Sequence, residues 1–139
     1  PAARAPGPLP ALPARVLVLD DEDEVRHAMQ ALLTAFGIEA TVVASEAQAA
    51  AALQQGRPHG QPIGVLLCDW RLSEGADGLA PAQRLRLQEQ PASLSVLMIT
   101  GETDPARLQR LRDSELPVLF KPVMAHTLLR ALAEQARSI

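Results

Sequence analysis

The run VLVLDDEDEVRHAMQALLTAFGIEATVV, Val16 to Val43, carries the pattern on which the fold turns. It opens with VLVLD (Val16 to Asp20), an apolar run with the length and β-branched content of a buried strand. After the acidic stretch DDEDE, residues Val25, Met29, Leu32, Leu33 and Phe36 recur at helical spacing, and Gly37 supplies a left-handed stop. EATVV (Glu39 to Val43) then reads as a second strand. Strand, amphipathic helix and strand in this order are the repeating unit of a parallel sheet.

Further strands are expected at VLLCD (Val65 to Asp69), SVLMIT (Ser95 to Thr100) and PVLF (Pro117 to Phe120). Four of the five strands are almost wholly apolar, as strands covered on both faces must be. Ser45 with Gln48 makes a capping-box start for a second, Ala-rich helix that ends before Gly56. Leu79 to Gln90 reads as a third helix, stopped by Pro91. Asp104 and Pro105 open a fourth as N-cap and first-turn pair, and Leu128, Leu129, Leu132 and Ala136 stripe a fifth. The expected fold is α/β: a doubly wound five-stranded parallel sheet, (βα)5 and flavodoxin-like, with strand order 2-1-3-4-5.

Outside this repeat, residues 1–14 hold Pro1, Pro6, Pro8, Pro10 and Pro13 and read as a Pro/Ala-rich linker, leaving 15–139 as one domain. A chain that opens on Pro1 without Met reads as a segment of something longer. With 139 residues there is core enough for a single domain. No apolar run approaches a membrane span and no signal-peptide pattern is present, so the expected location is cytoplasmic, with the linker able to tether the domain to a membrane sensor. A net charge of -3 argues against nucleic acid as the main partner. The lone Cys68 can form no internal disulfide and reads as a small buried hydrophobe.

Ligands of open parallel sheets bind beyond the carboxyl ends of the strands. On that rim the sequence sets Asp20 and Asp21 after strand one, Asp69 at strand three, Thr100 at strand four and Lys121 after strand five. Converging carboxylates resist ionisation unless a cation neutralises them, and Mg2+, with Mn2+ as a substitute, suits hard oxygen ligands. Lys121 and the Thr100 hydroxyl could hold phosphoryl oxygens, which leaves Asp69 as a nucleophile toward phosphorus.

The segments LVLDDEDEV, LLCDWRLSEGADGL, MITGETD and LFKPV resemble the four signature segments of response-regulator receiver domains, over residues 15 to 137. The resemblance implies Asp69 as phosphoacceptor, Asp20 and Asp21 as the acidic metal pair, and Arg71 as giver of a backbone carbonyl to the metal. It further implies Thr100 as the switch hydroxyl, Lys121 as the family's lysine and a cis Lys121–Pro122 peptide. A histidine kinase or a histidine phosphotransfer domain is then the expected phosphoryl donor. PVLFKPV, the Pro-rich leader and the stop after helix five look like a receiver attached to a hybrid sensor histidine kinase, with no DNA-binding output domain in the chain.

Three features depart from the family pattern. The loop from Asp69 to Gly78 is one residue longer than in chemotaxis-type receivers, Val118 stands where an aromatic residue is usual, and helix five lacks the charge set that pairs transcription-factor receivers. Two other functions compete. A haloacid-dehalogenase-type Mg2+ phosphohydrolase would use the D-x-D-x-V of Asp21 to Val25, but lacks its later acidic pair and leaves Asp69 idle. A pseudo-receiver, an interaction module without phosphorylation, usually loses an acid or the lysine, and this chain keeps both. Of the remaining polar residues, His27, His59 and His126 read as surface or loop histidines. Trp70 flanks the site or covers its loop, and Arg107, Arg110 and Arg112 read as a solvated face of helix four.

Overall fold

The computed structural model describes residues 12–56, 63–71, 78–88, 94–101 and 103–137. Strands and helices alternate without exception among them: β1 (Arg15–Leu19), α1 (Asp23–Ala35), β2 (Glu39–Val43), α2 (Glu46–Gly56), β3 (Val65–Asp69), α3 (Leu79–Gln88), β4 (Ser95–Thr100), α4 (Pro105–Asp113), β5 (Val118–Phe120) and α5 (Ala125–Arg137). The five strands form one parallel sheet in the order β2-β1-β3-β4-β5, as the sequence predicts.

Period-two alternation splits the strand side chains between two apolar layers. Leu17, Leu19, Leu66, Cys68, Val96 and Met98 point toward α2, α3 and α4, where they pack with Ala49, Leu53, Leu85 and Leu111. Val16, Val18, Val65, Leu67, Leu97 and Ile99 face α1 and α5, meeting Met29, Leu33, Leu128 and Leu132. Both layers exclude water, which is why these strands are apolar at nearly every position.

Local signals act much as the sequence implies. The Ser45 hydroxyl accepts the Gln48 N–H at 3.2 Å, while Gln48 reaches back to the Ala44 N–H at 2.8 Å. Asp104 caps α4 by accepting the Arg107 N–H at 3.1 Å, with Pro105 in the first turn. Gly37 takes φ +79° after α1, and its N–H closes onto the Thr34 carbonyl. Phe36 departs from expectation. It continues the apolar stripe in sequence, but the helix has ended at Ala35, and the ring stands 48% exposed. Gly56 is the last residue of α2 rather than the one after it. The end of helix three expected at Gln90 and the stop at Pro91 lie outside the described residues, as do residues 1–11 of the expected linker. Among the described residues no helix is long and apolar enough to cross a membrane.

Candidate functional site: an acidic pocket at the carboxyl edge of the sheet

Strand order reverses between β1 and β3, because β2 lies on one side of β1 while β3, β4 and β5 run out on the other. The crevice at such a switch point is where doubly wound folds bind ligands. The backbone ladders extend past the strand ends here and hold the residues just beyond them. The Asp20 N–H bonds the Val43 carbonyl at 3.1 Å, the Trp70 N–H the Ile99 carbonyl at 2.7 Å, and the Lys121 N–H the Thr100 carbonyl at 2.8 Å. Each polar group is thus delivered by, or next to, a backbone locked into the sheet.

Asp20, Asp69 and Thr100 are buried polar residues on this rim. Carboxylate oxygens of Asp20, Asp21, Glu22 and Asp69 come within 4.8 Å of one another, and the Lys121 ammonium stands 3.3 Å from Asp69 Oδ1. Burial, reinforced by the charge of Asp20, pushes Asp69 up to about 6, against the pull of Lys121 and of the Arg71 N–H bonded to it. Asp20 is also raised, chiefly by burial, while the Glu22 N–H donated to its Oδ1 at 2.9 Å and the Lys121 charge act in the opposite sense. Buried acids that resist ionisation and offer only oxygen ligands suit a hard divalent cation, whose charge would let them ionise together.

Every residue expected at the site on sequence grounds lies at this edge. Arg71 comes directly after Trp70 and turns its N–H to Asp69, and Lys121–Pro122 is cis. Three participants are not foreseen from the sequence. Glu22 joins the acidic group although its side chain is exposed, and the run of five acids was the available signal. Arg26, one turn into α1, donates from Nη1 to the Asp20 carbonyl at 2.7 Å and pairs through Nη2 with Asp23. Gly78 donates its N–H to the Trp70 carbonyl at 2.6 Å, and a Cβ there would overlap the Asp69 carbonyl oxygen, so this close approach requires glycine at position 78.

Neighbouring residues sort more simply. Trp70 is 2% exposed and packs in the layer under α2, α3 and α4, with the Arg110 guanidinium 5.7 Å from its ring centroid. Arg110 therefore covers an aromatic ring as well as facing solvent. Cys68 is fully buried, as expected. His27 and His126 are exposed, and His59 lies outside the described residues. Beside the acids a cleft of about 590 Å3 opens between α1 and the segment after β5, lined by Val25, Met29, Leu32 and Val123 together with Asp69 and Lys121.

A doubly wound sheet that gathers buried acids, a hydroxyl and a lysine at its switch point places the chain among the open α/β proteins whose strand ends form a polar ligand site. Comparison with known proteins makes the assignment specific. Residues 16–133 match the response regulator receiver domain, and the chain belongs to that family, the receiver domains of two-component response regulators. It is similar to the transcriptional regulatory protein AruR of Pseudomonas aeruginosa, with 35% identity over 94 residues covering 68% of this chain and 37% of that protein. The C4-dicarboxylate transport transcriptional regulatory protein DctD of the same organism is 31% identical over 116 residues, 83% of this chain and 23% of that protein. The chain thus spans well under half the length of these curated relatives. Among solved structures, the chemotaxis protein CheY4 of Vibrio cholerae superposes with a TM-score of 0.72 at 28% identity, over 89% of this chain and 98% of that one. A response regulator receiver protein from Sinorhizobium medicae, at 23% identity, TM-score 0.71 and coverage of 91% and 96%, shares the fold.

Proposed function

We propose that Asp69 accepts a phosphoryl group from a phosphohistidine, presented by a histidine kinase or a histidine phosphotransfer domain, and that the domain thereby switches a protein-interaction face. The observation that carries this reading is the pairing of a buried, solvent-shielded carboxylate with the Lys121 ammonium at 3.3 Å, inside a group of four acids. An Asp69 oxygen attacks phosphorus, the bond from phosphorus to the donor imidazole nitrogen breaks, and the histidine leaves with both electrons of that bond. Lys121, paired with Asp69, would hold a phosphoryl oxygen, and the Thr100 hydroxyl, at the end of the neighbouring strand, would donate to another. Asp20, Asp21, Asp69 and the Arg71 carbonyl would hold the cation, Mg2+ or Mn2+, which supplies charge neutralisation for the acids and the transferring group. Movement of Thr100 and the loop after it would then be read by α4. AruR and DctD are transcriptional regulatory proteins, which favours service to an output of that kind over attachment to a hybrid sensor kinase.

Incubation with Mg2+ and acetyl phosphate, followed by intact mass and peptide mapping, tests the reading. One phosphate should appear on Asp69 of the native chain, none on Asp69→Asn, and none with EDTA. Absence of phosphate from a folded, Mg2+-binding native chain would refute phosphoacceptance and leave a phosphorylation-independent interaction module.

A further inference from the structure

Metal-holding acids are only as good as the backbone that aims them, and here one side chain outside the acidic pocket restrains that backbone. The Arg26 side chain makes two connections across the turn between β1 and α1: its Nη1 bonds the Asp20 carbonyl at 2.7 Å, and its Nη2 pairs with Asp23. The Arg26 backbone N–H bonds the Glu22 carbonyl at 3.0 Å, the ordinary first-turn bond of the helix. The Arg26 side chain is 16% exposed while that of its Asp23 partner is 80% exposed, so Asp23 holds the fork from the solvent side and Nη1 reaches the loop. From within the turn, the Glu22 N–H closes onto Asp20 Oδ1 at 2.9 Å. The Asp20 carbonyl that Arg26 holds belongs to the peptide plane joining Asp20 to Asp21, the plane from which the Asp21 backbone continues.

We infer that Arg26 is a positioning residue for the cation site: it fixes the Asp20–Asp21 peptide so that the acids meet around one ion, and it works without touching ion or substrate. The inference builds on the reading of the acids as a cation site, yet concerns metal affinity and not phosphoryl transfer. Simple electrostatics predicts the reverse effect. A guanidinium beside a cation site repels the cation, so charge alone would make its removal tighten binding. Positioning predicts weaker binding, because outer-shell partners that orient ligands are worth about 10–100-fold in metal affinity. The two accounts differ in sign.

The test is titration of the full chain with MgCl2 and no phosphodonor, read by Trp70 fluorescence and by the rise in melting temperature, for native, Arg26→Ala, Arg26→Lys, Asp23→Asn and Arg26→Ala/Asp23→Asn chains. Arg26→Ala should weaken Mg2+ about tenfold, and at saturating Mg2+ its phosphorylation rate with acetyl phosphate should return toward the native rate. Arg26→Lys should fall between, since an ammonium cannot fork between the Asp20 carbonyl and Asp23. Asp23→Asn should weaken Mg2+ less than Arg26→Ala, and the double variant should lose less than the product of the single losses, because Asp23 acts through Arg26. Native or tighter Mg2+ affinity in folded Arg26→Ala overturns the inference. If that variant does not fold, native affinity in Arg26→Lys overturns it, as do independent, multiplying losses. A chain that never takes phosphate but shows these Mg2+ shifts would sink the phosphoacceptor reading and keep this one.

Discussion

Asp69 keeps its carboxyl where burial opposes charge, and that tension has a sign that stability measurements can read. Its folded-state value is pushed up to about 6 from an ordinary 3.8. Well below pH 4 the group is protonated in both folded and unfolded chains and costs nothing. As pH rises from 4 to 6 the unfolded chain ionises freely while the folded one resists, so stability present at low pH is lost, by about 3 kcal/mol at neutral pH. Without Mg2+, Asp69→Asn should therefore be more stable than the native chain at pH 7, with the gap shrinking toward zero at and below pH 4. Urea midpoints in EDTA across that range would show it, and a gap that does not change with pH would contradict it. Saturating Mg2+ should reverse the ranking if Asp69 holds the cation as proposed, since Asn would then remove a ligand.

Among the elements, α4 meets the site through a contact that the sequence concealed. Val118 on β5 is only partly buried and offers no ring, whereas Trp70, one residue past the phosphoacceptor candidate, lies beneath Arg110 of α4. Arg110→Ala should expose the indole, shift its emission to longer wavelength and cost about 0.5–1 kcal/mol, leaving Mg2+ affinity unchanged; an unaltered emission spectrum would show that the stack does not shield the ring. The elements themselves were legible because two-sided burial writes each strand as an unbroken apolar run, as in VLLCD, and because the caps at Ser45 and Asp104 are local chemistry. The rim residues Asp20, Asp21, Asp69, Thr100 and Lys121 were legible because strand ends in a parallel sheet share one edge. What could not be read depended on distances between segments. Phe36 sits on the α1 stripe, but its direction is set by where the helix stops. Arg26 looks like any polar helix residue until its fork is seen on the Asp20 carbonyl, and Gly78 looks like any loop glycine until its approach to the Asp69 carbonyl is known.

At the scale of the molecule, the sheet is the shared wall of two apolar layers, so neither layer can open without stripping one face of the same strands. Leu33 in α1 and Leu85 in α3 lie in opposite layers and are both essentially inaccessible. Leu33→Ala and Leu85→Ala should each cost about 2–5 kcal/mol, and each should shift one cooperative transition instead of splitting it. Trp70 fluorescence reports from the α3 layer and far-ultraviolet circular dichroism from the whole chain, so coincident curves in both variants would establish a single unit. Two separated transitions in Leu33→Ala would show that α1 and α5 can leave the sheet alone. Mg2+ extends the same coupling. The acids proposed to hold it belong to β3 and to the turn after β1, so binding there would stabilise the entire fold by mass action, about 2.7 kcal/mol at one hundred times the dissociation constant. That gain should appear in full in both leucine variants, because neither side chain reaches the acidic pocket; a gain lost only in Leu33→Ala would place the support of the cation site in the packing of α1 as well as in the Arg26 fork.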